Sequence, residues 1–215
     1  MNTLRIPLIR DSLITEIKSS KPLLGKHILD IGSGGGIVSE PLARLGASVT
    51  GIDPVSSNVD IAQKHLKECS SNLTSNLKYI CSTIEDFSSE SQNKISFDGV
   101  VASEVLEHVD DVSLFITSVK EVLKPQGKFI VTTINQTLMA QVFAICLAES
   151  PIFDLAPKGT HSYDKLVPLD GLKFLLEEHG FRVNTTQGMS FNPFTGRWFW
   201  TSSTLINYAV VAEKL

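Results

Sequence analysis

Buried strands alternate with helices over the first 134 residues of this chain, and that alternation constrains the fold more than any other feature. Apolar runs predict five strands, at 27–31, 48–52, 77–81, 97–102 and 128–134. Helical patterns lie between them at 36–45, 56–69 and 112–123. Such strand–helix–strand repeats favour right-handed crossovers, so the chain is predicted to form a doubly wound, mostly parallel α/β sheet.

The pattern changes after Ile134. About thirty residues come before a predicted helix at 169–179, and strand-like runs follow near 181–188 and 206–212. We interpret residues 1–215 as one domain carrying an insertion at about 135–165. An extra segment at this point is a natural cover for a substrate.

Part of that insertion, 138–148, contains one polar residue and no charge. It is too short to span a bilayer, which needs about 20 apolar residues. Two fates remain open for it: a helix packed on the domain, or a segment lying at a membrane interface.

A glycine-rich loop follows the first predicted strand, in the order Asp30-Ile31-Gly32-Ser33-Gly34-Gly35-Gly36. Ligands of open parallel sheets bind outside the carboxyl ends of the strands, and glycines allow the backbone to approach them closely. Asp53 ends the second strand, where a carboxylate can accept hydrogen bonds from ribose hydroxyls. The pattern predicts an adenosine-containing cofactor.

Two cofactor classes share this arrangement, and the glycine spacing separates them. A dinucleotide fingerprint requires G-x-G-x-x-G, but its third glycine would fall at Ile37. Asp30 would also repel a pyrophosphate, whereas it can bind an ammonium group directly or through water. The loop therefore favours S-adenosylmethionine, with Asp30, Gly32, Gly34, Gly36 and Asp53 as cofactor-binding residues.

The fourth strand runs into Ser103 and then into a cluster formed by Glu104, Glu107 and His108. On a helical turn these three side chains can share one face, and carboxylates with an imidazole can ligate a divalent cation. The alternative is structural, with the same residues capping or orienting the helix.

Composition excludes some partners. The formal net charge is −4, which argues against a sequence-independent nucleic-acid footprint. The three cysteines are scattered, and they form neither a disulfide framework nor a cysteine-based metal site.

The chain resembles the ubiquinone biosynthesis O-methyltransferase family, and most closely its mitochondrial branch. The general part of the resemblance is LDIGSGGG, GIDP and VLKPQGKF; the specific part is LRIPLIRD, ASEVLEHV, TTINQT, PKGTH, NPFTG and NYAVVAEKL. It spans nearly the whole chain. Ser33 and Gln126 depart from the usual pattern, but neither is expected to touch the chemistry.

The resemblance implies a class I SAM-methyltransferase (Rossmann-like) fold with an antiparallel C-terminal strand. It implies that Arg5 and Ser103 contact the cofactor and that Glu104, Glu107 and His108 bind Mg²⁺. The implied substrates are the catechol-like polyprenyl dihydroxybenzoate and demethylubiquinol. The implied setting is the matrix side of the mitochondrial inner membrane, with peripheral membrane contact, other ubiquinone-biosynthesis proteins as partners, and a transit peptide that this sequence does not include.

Methyl transfer to a phenol also needs a proton acceptor, and His108 or His161 could take that role. For His108, ligand and base are competing roles and we favour the ligand role, while His161 could equally be a structural histidine of the PKGTH turn. Two other functions stay open: a methyltransferase acting on another small molecule, and a methyltransferase-fold assembly subunit.

Overall fold

The computed structural model describes residues 1–17, 19–135, 167–193 and 195–215. One eight-stranded sheet organises them, with strand order β3-β2-β1-β4-β5-β8-β6-β7. Its strands are β1 (His27–Ile31), β2 (Ser48–Asp53), β3 (Leu77–Cys81), β4 (Phe97–Ser103), β5 (Leu123–Ile134), β6 (Phe181–Asn192), β7 (Arg197–Thr201) and β8 (Asn207–Lys214). The α-helices are α1 (Asn2–Leu13), α2 (Ser39–Arg44), α3 (Ser56–Cys69), α4 (Ile84–Ser89), α5 (Val112–Val122) and α6 (Leu169–Glu178). Short 3₁₀ turns in the described ranges span Ser71–Leu73, Ser91–Asn93 and Leu106–His108.

Successive strand residues enter different cores, because side chains alternate across a sheet. Leu29, Val100 and Phe129 pack with apolar side chains of α4, α5 and α6 on one face. Their neighbours Ile28, Val101 and Ile130 pack with side chains of α1, α2 and α3 on the other. The central strands are therefore buried on both faces, as parallel sheets require, and the doubly wound prediction is confirmed.

The parallel and antiparallel parts meet at β5. The five strands β1 to β5 pair in parallel, whereas β8 pairs antiparallel with β5 and with β6. The expected antiparallel C-terminal strand is confirmed, and β7 adds a further antiparallel strand at the edge.

Several elements differ from the sequence prediction. The helix predicted at 36–45 is shorter, since α2 begins only at Ser39 after a run of turns. The fifth strand begins at Leu123 rather than at 128. Helix α1 was not predicted, because it contains Pro7 and lacks a one-sided apolar stripe. Helix α4 and strand β7 were also missed, since each has only five or six residues.

No helix among the described ranges is long and apolar enough to cross a membrane. The predicted insertion lies outside the described residues apart from Asn135, and so do the apolar segment 138–148 and His161.

Candidate active site

The loop that follows β1 is held open over the carboxyl edge of the sheet. Gly34 has φ +51°, a left-handed conformation that glycine adopts without steric cost. A Cβ atom on Gly34 would meet no atom within 4 Å, so this side of the loop faces open space. Gly32 begins the loop directly after β1. The backbone thus forms a cradle that a bound group can approach closely.

The far end of the loop is fixed by tight packing. Gly36 has φ +87°, and a Cβ there would overlap the Tyr79 hydroxyl. The Tyr79 side chain comes from β3, and it also lies against Gly51 of β2, where a Cβ would be 2.6 Å from the ring. Glycine is therefore required at 36 for conformation and for space.

Asp53 connects this loop to β2. Its Oδ2 atom accepts a hydrogen bond from the Gly34 N–H at 2.9 Å, and its Oδ1 atom accepts from the Val55 N–H at 2.9 Å and from Asn58 Nδ2 at 3.1 Å. The residue is buried. A carboxylate has about four acceptor sites, so three donors leave capacity for one more. Asp53 ends β2 as the sequence predicts, and its hydrogen bonds set the loop geometry.

Asp30 lies beneath the loop at the end of β1, almost fully buried, and accepts a hydrogen bond from Ser39 of α2. Burial raises the pKa of this carboxyl to about 6, although Ser39 and the charge of Arg5 act in the opposite direction. The acidic group expected beside the loop is present, with one oxygen engaged by Ser39.

Arg5 reaches the site from the N-terminal helix. One guanidinium nitrogen donates to Ser103 Oγ at the end of β4, and the other terminal nitrogen donates to Asn2 Oδ1 at 2.9 Å. Its Nε–H is buried without a partner among the described residues. Ser103 Oγ also lies 2.8 Å from Thr132 Oγ1 of β5. Helix α1, β4 and β5 therefore meet in one polar network beside the glycine loop.

Glu104 has an unusual backbone conformation. Its φ is +57°, which is strained for a residue with a side chain, and its N–H donates to the Thr132 carbonyl at 2.7 Å. The carboxylate lies 3.4 Å from Thr132 Oγ1. Burial, followed by the nearby charge of Glu107, raises the pKa of Glu104 to about 8. Such strain at a strand end is typical of functional sites.

Glu107 is buried at the same strand end. Its Oε2 atom accepts a hydrogen bond from Thr133 Oγ1 at 2.6 Å, while its Oε1 atom is buried with no partner in the described structure. A buried acceptor without a donor is costly, and a second acidic group nearby adds repulsion. Glu104 and Glu107 therefore place two acidic groups, one with an unpartnered oxygen, at the end of β4.

The predicted three-ligand metal cluster is not assembled. Within the described ranges no group of three His, Cys, Asp or Glu side chains is close enough to hold an ion. His108 is exposed and lines a neighbouring cavity with Gly32 and Val105. The physical reason is the short 3₁₀ turn Leu106–His108, which lacks the i, i+4 geometry that the prediction assumed.

That cavity has a volume of about 400 Å³ and extends the site toward β3. Ser82, Thr83 and Ile84 follow β3 and line it, together with Leu114 and Phe115 of α5. These residues were missed because no motif marks them, although ligand sites are expected at the ends of parallel strands.

Thr132 and Thr133 were missed as well. Both belong to the TTINQT motif, but only the pairing of β5 with β4 brings their hydroxyls to Glu104 and Glu107. Their place at the carboxyl end of a predicted parallel strand was the available signal.

The fold and this site define a Rossmann-like methyltransferase. The methyltransferase domain family matches residues 9–186. Among solved structures, a SAM-dependent methyltransferase of Methanosarcina mazei superimposes with a TM-score of 0.65 at 25% identity, covering 88% of this chain and 92% of that one.

Sequence relatives narrow the family. The mitochondrial ubiquinone biosynthesis O-methyltransferase of Rattus norvegicus is 46% identical over all of this chain and 62% of its own length. The ubiquinone biosynthesis O-methyltransferase of Rhizobium johnstonii is 38% identical over 99% of this chain and 84% of its own length. The chain belongs to the ubiquinone biosynthesis O-methyltransferase family. It spans about three fifths of the mitochondrial relatives that it matches.

Proposed function

We propose that this chain transfers the methyl group of S-adenosylmethionine to a hydroxyl of catechol-like polyprenyl intermediates, polyprenyl dihydroxybenzoate and demethylubiquinol. The observation that carries the proposal is the position of the Gly34–Asp53 cradle beside the Arg5–Ser103 network and the Glu104–Glu107 pair. The names of the relatives support the reaction and the substrate class.

The residues present fit S-adenosylmethionine. The open space beside Gly34 would accept S-adenosylmethionine close to the backbone, and the remaining acceptor capacity of Asp53 suits a ribose hydroxyl. Asp30 suits the ammonium group, and Arg5 with Ser103 forms the polar wall on the β4 side. When bound, the cofactor supplies a sulfonium methyl for direct displacement by a substrate oxygen. Holding the two reactants in line can contribute several kcal/mol.

The acidic pair fits Mg²⁺. Glu107 Oε1 has no hydrogen-bond partner in the described structure, and burial with the nearby charge of Glu107 raises the pKa of Glu104. A cation between the two carboxylates would contact the unpartnered oxygen and offset their repulsion. Glu104 and Glu107 would hold the ion, and His108, which the described structure does not group with them, is not proposed as a ligand. A divalent cation held there would supply Lewis-acid chemistry that lowers the pKa of a phenolic hydroxyl.

A base completes the proposed mechanism. A phenol has a pKa near 10, so the hydroxyl must lose its proton to attack well. His108 lines the cavity and is exposed, so it can pass a proton to solvent. His161 is the other candidate, and it lies outside the described residues.

The proposed setting is the matrix side of the mitochondrial inner membrane. The mitochondrial names of relatives at 45–46% identity support it, and polyprenyl substrates reside in membranes. We further propose peripheral membrane contact through 138–148, and association with other ubiquinone-biosynthesis proteins. Replacing Val142, Phe143 and Ile145 with Ser should then reduce sedimentation with liposomes without unfolding the chain.

The deciding experiment is methyl transfer from labelled S-adenosylmethionine to a short-tailed catechol, with and without a chelator. We expect a labelled methyl ether that disappears on chelation and returns with Mg²⁺. Cofactor binding without methylation of any catechol would favour an assembly subunit. Full turnover in excess chelator would leave the acidic pair with a structural role only.

A further inference from the structure

The antiparallel hairpin of β6 and β7 projects beyond the rest of the sheet. Strand β8 pairs with β6 only as far as Met189, whereas β6 continues to Asn192 in register with Arg197 of β7. Three residues of an extended strand cover about 10 Å, so the hairpin end stands clear of β8. It projects at the edge of the sheet that carries the active site, because Ile134 and Met189 both pair with Asn207.

Both faces of this hairpin expose aromatic side chains. Phe191 pairs with Trp198 on one face, with ring centroids 5.6 Å apart, and Phe191 remains 38% exposed. Phe199 follows Trp198, so it points to the opposite face, where it is 45% exposed. Leu205, after β7, is 50% exposed. Large apolar side chains exposed together mark an interaction surface.

The sequence around the hairpin is almost free of charge. Residues 183–212 contain no Asp or Glu, and Arg197 is their one basic residue, although one fifth of the whole chain is charged. The chain has two tryptophans, and both lie in β7. Tryptophan and other aromatic side chains with flanking basic residues are typical of membrane–water interfaces.

We propose that the β6–β7 hairpin is a membrane-contacting element that inserts its aromatic tip into the interface of an anionic bilayer. A flat protein partner, such as a second copy, would cover one face of the hairpin and leave the other in water. A bilayer interface can reach both faces of the hairpin end beyond Met189, where Phe191 and Phe199 are exposed. Arg197 has no Asp or Glu near it in the sequence, so its positive charge is complementary to the negative headgroups of an anionic bilayer.

The contact has a consequence for the site. Helix α1 packs against β7 and carries Arg5, so the proposed membrane surface lies beside the helix that reaches the active site. The inference rests on the hairpin alone and does not depend on methyl transfer.

Both tryptophans lie in the hairpin, so their fluorescence reports on it directly. Titration of the chain with phosphatidylcholine vesicles containing an anionic lipid should shift the emission to the blue. Lipids brominated near the headgroup should quench it more than lipids brominated deep in the tail. Phe191→Ser with Phe199→Ser should lower the vesicle partition coefficient about tenfold, because two half-exposed phenyl groups lose their burial in lipid. Arg197→Gln should lower the preference for anionic vesicles about fivefold.

Phe174→Ser is the matched control, because Phe174 is 62% exposed on α6, outside the β6–β7 hairpin, and its loss should change nothing. Phe199→Ser alone leaves the Phe191–Trp198 pair intact and keeps the test informative if the double variant unfolds. Vesicle binding with unquenched tryptophans would overturn the proposal. So would a dimer in analytical ultracentrifugation that Phe199→Ser dissociates, since it would assign the hairpin to a second copy.

Discussion

Arg5 donates a hydrogen bond to Ser103 across 98 residues of sequence, and this bond attaches α1 to the carboxyl end of β4. The guanidinium also interacts electrostatically with the carboxylates of Glu104 and Asp30. One side chain of the first helix is therefore part of the electrostatic balance at the centre of the site.

The first prediction concerns this contact. Arg5→Lys should weaken binding of S-adenosylhomocysteine about tenfold, because an ammonium cannot reproduce the fork that contacts Ser103 and Asn2 together. Isothermal titration calorimetry measures it. Arg10→Lys, on the same helix but bound to Asp11, is the control and should bind as the parent does. Equal affinity in both variants would remove Arg5 from the cofactor site.

The second prediction concerns Asp53. Asp53→Ala should weaken binding of S-adenosylmethionine by about 1.5–3 kcal/mol, a factor of about ten to 150, since hydrogen bonds to a charged group are lost. The Gly34 and Val55 amides also lose their acceptor, so the loop should loosen. Asp60→Ala, at an exposed position of α3, is the calorimetric control. Unchanged affinity in a folded Asp53→Ala variant would contradict the ribose role.

The third prediction separates two glycines of one loop. Gly34→Ala should lose about 1–2 kcal/mol of stability, because alanine is strained at a positive φ, and it should lose cofactor affinity, because its methyl group enters the open cradle. Gly36→Ala should lower the melting temperature, because its methyl group meets the Tyr79 hydroxyl. Tyr79→Phe removes that oxygen and should restore part of the loss. Scanning calorimetry of the single variants Gly36→Ala and Tyr79→Phe and of the double variant measures this. Additive changes in melting temperature would contradict the contact between position 36 and the Tyr79 hydroxyl.

The fourth prediction concerns Mg²⁺. The pKa of Glu104 is raised to about 8, so at neutral pH the free acidic pair retains a proton that a cation must displace. Mg²⁺ binding should release up to one proton, and affinity should fall about tenfold per pH unit below 8. Calorimetry in two buffers of different ionisation enthalpy measures the release. Glu104→Gln should abolish it, and proton release that persists in this variant would assign the proton elsewhere.

The fifth prediction concerns stability without metal. The folded pKa of Glu104, about 8, is above its ordinary value of 4.5. The stability that the protonated carboxyl contributes is therefore complete below 4.5 and is lost as pH rises through 8. Glu104→Gln, which stays neutral, should add up to about 5 kcal/mol to the free energy of unfolding at pH 9, at about 1.4 kcal/mol for each unit of the pKa difference, and little at pH 4.5. Urea denaturation with a chelator present measures this. Glu68→Gln, at an exposed position of α3, is the control, and it should change the free energy of unfolding equally at the two pH values. An equal gain at pH 9 and pH 4.5 in Glu104→Gln would contradict the assignment.

Much of the secondary structure can be predicted from the spacing of residues that are close in sequence. Helix α3 and strand β3 have the predicted bounds, because their apolar residues repeat at helical and strand spacing within the segment itself. The glycine loop and Asp53 were found the same way, since turn chemistry depends on neighbouring residues. The handedness of crossovers limits the strand orders that are possible, and the structure has the order β3-β2-β1-β4-β5 in its parallel part.

The tertiary structure alone decided how the site is assembled. The Arg5–Ser103 bond and the Thr133–Glu107 bond join distant parts of the chain, and the pairing of β4 with β5 sets the second of them. The separation of His108 from the acidic pair depends on a turn of three residues. Sequence periodicity determines which face of an element is buried. Which side chains meet across two elements is set by register and by the burial that long-range packing imposes.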